Sequence, residues 1–411
     1  MLRSSLLHIQ LVTFALAASA SVVGCSDDTE SGPPEDVLLE PPPAGQGVQF
    51  RMVTTIEAGS EVEHCQFFRA PPEGLNVNRD EIRFTSGSHH VLMYLTPYED
   101  IPTTNLAGEE IDTSAVFDCS EGPTGSWQVT NLIGGSQNSS GDPTLSFPPD
   151  VAMRVEPNAV LLMNAHYINP QSEAANPEVR VNLFSIPDEQ VKTQGGILFF
   201  YNPFIRVDPM GAGLATMSCP LPDDITIGNA QSHMHRRGVG YSATLLAPDA
   251  SPELIYSNDA WEGVPVKEWE EGLAVVGGSR IEYGCDYQNG EDRQVYQGPK
   301  STDEMCMFIA SYWPANNQVS VCATDPDDTV GTQALNAEWV GNGAATCEET
   351  LGCIQGISSE DQQGFFQALT DCVLDSDPAE SLYVSNGVRC LLTHADPVAD
   401  CLPEIQACID H

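Results

Sequence analysis

Short apolar runs punctuated by Gly, Pro, Asn and Asp dominate the chain from Val48 to Ile186: FRMVTTI at 50–56, HHVLMYL at 89–95, AVLLMNAHYI at 159–168 and VRVNLFSI at 179–186. Regular short runs with turn residues between them, and no long helical period, predict an antiparallel β-sandwich. A polar joint follows at residues 188–196, and a second set begins with GILFFYNPFIRV, continuing through ITIGNAQSHMH, GYSATLLAP and MCMFIASYW. This predicts a second sandwich.

The pattern changes near Gly341. Phe365, Leu369 and Cys372, then Cys401, Ile405 and Cys408, recur at i, i+4 and i+7, the spacing of one helix face. Cys401 and Cys408 on one face should therefore bridge to other helices rather than to each other. The expected fold class is all-β, two tandem antiparallel sandwiches followed by a small disulfide-rich α-helical C-terminal segment. The expected boundaries are 1–24 for a leader, 25–47 for a tether, 48–187 and 188–340 for the sandwiches, and 341–411 for the cap.

The leader carries one charge, Arg3, then an apolar stretch from Leu6 to Val23 diluted by His8, Gln10, Thr13, Ser19 and Ser21. It ends in Val22-Val23-Gly24-Cys25, which resembles a lipobox cut before a lipidated cysteine. A membrane-spanning helix would need about 20 strongly apolar residues. The acidic, proline-rich stretch after Cys25 has too little apolar surface to fold and reads as a tether. The chain is thus expected in the cell envelope, touching membrane through its lipid alone.

The formal charge of -42 becomes one unit more negative once Arg3 is removed. Such acidity repels phosphate backbones, which excludes nucleic acid as a partner. Of 13 cysteines, Cys25 is consumed by the lipid, leaving an even number for disulfides in an exported protein. No C-x-x-C occurs, so thioredoxin-like redox chemistry, zinc ribbons and c-type haem attachment lack their ligand spacing.

Five of the 9 histidines fall in three strand-like runs: His89-His90, His166 and His233-Met234-His235. Residues i and i+2 of a strand point to one face with Cα atoms roughly 6.6 Å apart, so His233 and His235 can converge on one ion. His89 and His90 can share an ion only at a strand end or a bulge, and Gly87 makes such a distortion feasible. His166 supplies a third imidazole from another strand. A single histidine on an apolar strand is ordinarily a hydrogen-bonded core residue; the conjunction of five points to metal. His64 and His394 read as surface residues, and Asn138-Ser139-Ser140 matches a glycosylation sequon of little weight in a bacterial lipoprotein.

The segments SGSHHVLMY, NAHYIN, QSHMHRRG and STDEMCMFIASYW, in this order, resemble the ligand segments of the copper type II ascorbate-dependent monooxygenases, among them the peptidylglycine and dopamine enzymes. The resemblance spans about residues 48–335 and implies jelly-roll-like sandwiches. It implies one copper on His89, His90 and His166 and a second on His233, His235 and Met305. Imidazoles suit both copper oxidation states, and a thioether favours Cu(I). It also implies that Cys65 pairs with Cys119, Cys219 with Cys322 and Cys285 with Cys306.

The implied activity is hydroxylation of a small-molecule C–H bond with dioxygen and a one-electron donor such as ascorbate. Dioxygen would react at the Met305 site, while the three-histidine copper stores an electron. The chain departs from the peptide-hydroxylating pattern at Gln231, where an arginine holds the substrate carboxylate, and at Met307 and Ile309, which replace an asparagine and a tyrosine. Losing that charge-assisted bond costs about 1.5–3 kcal/mol and disfavours peptide amidation. Two other readings compete: a cell-surface copper store with the same ligands, and a mononuclear zinc hydrolase built on His233-x-His235. The hydrolase lacks an Asp-His after the pair, and zinc rarely takes Met.

Overall fold

The ten strands of the first half are β1 (Gly47–Val53), β2 (Glu61–Arg69), β3 (Leu75–Phe84), β4 (Ser88–Leu95), β5 (Phe117–Asp118), β6 (Asn131–Ser136), β7 (Val151–Val155), β8 (Val160–Ile168), β9 (Glu178–Ser185) and β10 (Thr193–Gln194). They form two five-stranded sheets, β1-β9-β3-β7-β10 and β5-β2-β8-β4-β6, around one apolar core. Pairing is antiparallel apart from the short parallel contact of β10 with β7. The structure, a computed structural model, describes residues 38–411 except 86, 121, 139–142, 321, 323–336, 359–360 and 395–399. The leader, Cys25 and the tether as far as residue 37 lie outside the described residues, as do Ser139 and Ser140 of the sequon. The chain just before β1 lies against the sheet: Gln49 donates to the Leu39 carbonyl at 3.0 Å and Asn182 to that of Glu40 at 2.8 Å.

The second half comprises β11 (Gly196–Tyr201), β12 (Arg206–Val207), β13 (Ala212–Leu221), β14 (Ile225–Met234), β15 (Gly238–Leu246), β16 (Glu253–Asn258), β17 (Lys267–Val275), β18 (Ser279–Gln288), β19 (Val295–Tyr296), β20 (Cys306–Trp313) and β21 (Glu338–Val340). A four-stranded sheet, β11-β20-β14-β17, faces a five-stranded one, β16-β15-β18-β13-β21; β12 and β19 pair separately. Alternation explains the packing. On β18, Ile281, Tyr283, Cys285 and Tyr287 are buried while Glu282 and Asp286 between them reach outward.

Strand β8 breaks that alternation, since all residues from Val160 to Tyr167 are buried. A strand covered on both faces reads as a continuous apolar run. One face of β8 meets the first core, and the other looks toward the second half. Ile197, Met307 and Ile309, all from the second half, are buried in the first core cluster, so the two halves share an apolar seam.

Among the described residues the helices include α1 (Pro123–Ser126), α2 (Asn317–Ser320), α3 (Cys347–Gln355), α4 (Gln362–Leu374), α5 (Ser381–Thr393) and α6 (Leu402–Asp410). The last four form the C-terminal segment. Thr346 starts α3 with a capping box to Glu349. Disulfides join α3 to α6 through Cys347–Cys408, α3 to α4 through Cys353–Cys372, and α5 to the start of α6 through Cys390–Cys401. Cys65–Cys119 lies within the first half, and Cys219–Cys322 and Cys285–Cys306 lie within the second. Six disulfides mark an extracytoplasmic protein.

Candidate metal centre between the halves

Strand register sets which side chains share a face. In β14 and β20, His233 pairs with Met307 and Gln231 with Ile309, while Met234 pairs with Cys306. Met234, Cys306 and Phe308 point into the second core. His233, Met307 and Ile309 therefore point the other way, toward the first half; His235 and Met305 each lie one residue beyond the paired strands. Met305 is half-buried, packs against the first core cluster and accepts the Tyr287 hydroxyl on its carbonyl at 2.8 Å.

In the first half, β4 and β8 align His90 with His166, and β2 and β8 align Glu63 with His166. The β4–β8 register shifts between Ser88 and His90, leaving His89 as the extra residue of a bulge. Gly87 just before it has φ of 96°. The bulge turns two sequence neighbours toward the same space, with ring centroids of His89 and His90 5.4 Å apart.

The two faces look at each other, so the five imidazoles form one contiguous cluster. His166 lies 5.4 Å from His89 and 5.1 Å from His90, ring to ring. His233 lies 5.4 Å from His90, 6.3 Å from His89 and 5.2 Å from His235. The expected pair of separate groups thus adjoins across the seam, because the histidine-bearing face of each half is the face that packs on the other.

Four buried ring nitrogens have no hydrogen-bond partner: Nε2 of His89, Nδ1 of His90, Nδ1 of His166 and Nε2 of His235. Leaving one such group unsatisfied costs about 1–3 kcal/mol, and four in one cluster call for a ligand. The opposite nitrogens of two of these rings, His166 and His235, are engaged, as is one nitrogen of His233. His166 Nε2–H donates to Glu61 at 2.9 Å, His235 Nδ1–H to the Asp303 carbonyl at 3.2 Å, and His233 Nδ1–H to Gln137 Oε1 at 2.7 Å. Metal-ligating histidines are oriented in this way, one nitrogen held so the other is presented.

Electrostatics agree. Burial, reinforced by neighbouring imidazoles, holds His89 at about 4 and His235 at about 3, and puts His90 and His233 well below the ordinary histidine range. These rings are neutral near pH 7, the form that offers a lone pair to a metal. Burial raises Glu61, but hydrogen bonds from His166 and Ser301 outweigh it and hold the carboxyl at about 2. Burial pushes Glu304 up to about 7 although it accepts the backbone N–H groups of His235 and Arg237.

Strand pattern alone misses Glu61, Gln137, Ser301 and Trp261, whose ring centroid is 5.5 Å from that of His89. Glu61 begins a strand whose acidic residues alternate inward, the one faint signal; the others act from loops or a strand end. Gln231 donates to Thr144 at 3.3 Å and accepts from Gln137 at 3.0 Å, so this departure from the family pattern serves the seam. His64 is half-buried and bonded to Thr54, whereas His394 is exposed.

A disulfide-bonded, mainly β protein that collects neutral imidazoles with unshared nitrogens has the donor set of a site for a late first-row metal ion. Residues 211–334 match the family described as copper type II ascorbate-dependent monooxygenase, C-terminal domain. The matched domain implies an oxidoreductase of the copper monooxygenase type. Among solved structures, a peptide-N(4)-(N-acetyl-beta-D-glucosaminyl) asparagine amidase aligns at 8% identity over 64% of this chain and 96% of its own, with a TM-score of 0.27. A structure of infectious bursal disease virus, Gx strain, aligns at 10% identity over 69% and 79%, with a TM-score of 0.16. At such overlaps nothing about fold or chemistry follows from either.

Proposed function

We propose that this chain is an exported, Cys25-anchored copper monooxygenase on two jelly-roll-like sandwiches, hydroxylating a substrate C–H bond with dioxygen and a one-electron donor such as ascorbate. The observation that carries the reading is the group of four partnerless imidazole nitrogens inside a five-histidine cluster, two of whose rings, His233 and His235, lie within the matched family segment.

His89, His90 and His166 would hold one copper, and His233, His235 and Met305 the other. Bound copper supplies one-electron chemistry toward dioxygen and the C–H bond. The chain's own work is arrangement. Glu61, Gln137 and the Asp303 carbonyl fix which nitrogen each of three rings presents, and burial keeps His89, His90, His233 and His235 deprotonated. The soft Met305 thioether favours Cu(I). Gln231, Met307 and Ile309 provide no cation to hold a substrate carboxylate, which fits a neutral or aromatic substrate better.

The test is oxygen uptake by copper-loaded protein with ascorbate and a panel of C–H substrates. The reading predicts uptake that depends on a substrate and yields its hydroxylated product. Two bound coppers with no substrate-dependent uptake would instead make the protein a cell-surface copper store.

A further inference from the structure

The outer supports of the two histidine groups cross the seam in both directions. His233 belongs to the second half, yet its Nδ1–H donates to Gln137 of the first half at 2.7 Å. The same Gln137 amide is anchored by donating to Gln231 Oε1 at 3.0 Å and to the Ser232 carbonyl at 2.6 Å. His166 belongs to the first half, and its partner Glu61 is gripped by Ser301 of the second half, through the backbone N–H at 2.5 Å and the hydroxyl at 2.9 Å. The Ser301 loop runs on to Asp303 and Glu304, which hold His235 by its ring and its backbone N–H.

We propose that Gln137 and Ser301 are reciprocal positioning residues, each orienting from its own half the imidazole that binds metal in the other, so that docking of the halves and completion of both sites are one event. This rests on the two-site copper reading above. It makes a crosswise prediction that neither half considered alone would make: a substitution in the first half should weaken the metal site of the second.

Single-site backgrounds separate the effects. His166→Ala leaves the site of His233, His235 and Met305; His235→Ala leaves that of His89, His90 and His166. Cu(I) affinity is read by competition with a chelator on the full chain, with apo-protein melting as the folding control. In the His166→Ala background, Gln137→Leu should weaken affinity by about 10–100-fold, the usual loss when a ligand's hydrogen-bond support is removed. Gln137→Glu, which keeps the acceptor but loses the two donor contacts that anchor it, should recover only part of it. In the His235→Ala background, Gln137→Leu should leave affinity unchanged.

Ser301→Ala should show the reverse preference, with a smaller loss because its backbone N–H still reaches Glu61. That arm decides the matter if Gln137→Leu does not fold. Equal losses in both backgrounds, or none in either, would overturn crosswise positioning while leaving the copper sites standing. Failure of the unmutated chain to bind Cu(I) would overturn the site reading itself, before any variant is compared.

Discussion

Asp80 shows how much a single buried group can bias the stability of this acidic chain. It is 1% exposed, accepts the N–H groups of Gly135 and Leu145 at 3.0 Å, and is pushed by burial from 3.8 up to about 7. Between those values the folded chain keeps a proton that the unfolded chain has released, so rising pH destabilises the fold through that window. The slope is at most about 1.4 kcal/mol per pH unit, and it vanishes above the window. Asp80→Asn cannot ionise. The melting temperature of the unmutated chain minus that of Asp80→Asn should therefore fall from pH 4 to pH 7; a constant difference would show that Asp80 stays charged. The five histidines were legible at the same scale, because His-x-His and His-His within apolar runs stand out from a background of core residues. Gln137 and Ser301 were not, since an amide in a strand-end loop and a serine in a turn look like ordinary surface until a distant segment lands on them.

Among elements, the bulge in β4 is the feature on which the three-histidine group depends. Its need could be read from two adjacent histidines on one strand, and Gly87 marked the place, where the backbone has φ of 96°. The Cβ of an alanine there would meet only the Ile168 carbonyl at 3.8 Å, so the objection is backbone conformation rather than space. Gly87→Ala should cost about 1 kcal/mol of stability, seen as a lower melting temperature, and should weaken copper binding in a His235→Ala background. An unchanged affinity would mean that the bulge is not what aligns His89 with His90. The run at 159–168 announced β8, but not that His166 joins the histidine cluster while Asn164 bonds Glu63 beside the Cys65–Cys119 disulfide; that follows from pairing with β2 and β4, whose registers join residues about 100 and 75 positions away. The helical spacing after Gly341 did foreshadow α4 and α6, with Cys408 bridging to α3 and Cys401 to α5.

Across the whole molecule, the C-terminal segment is continuous with the second core. Phe366 stacks on Phe204 at 5.6 Å, Trp339 meets Phe204 at 4.7 Å, and Leu369, Val373, Val384 and Val388 are buried in the same cluster. Arg206 adds ion pairs to Asp371 and Asp375. A chain ending at residue 340 would expose Phe204 and Trp339, and it should melt several degrees lower or aggregate; melting at the unmutated temperature would show the cap to be dispensable. Composition could place a cysteine-rich helical unit here but not its docking face, which depends on which sheet edge lacks cover. In the proposed two-copper reading the seam carries the function at this scale, because two β-sheet halves bring their histidine faces together and neither half alone supplies all the supports. The most direct test is copper bound per chain after Cu(I) loading and dialysis, for the unmutated protein, His166→Ala and Met305→Ala. Two coppers in the first and a selective loss of a different one in each variant are predicted; no copper in the unmutated chain, or full retention in both variants, would contradict the account.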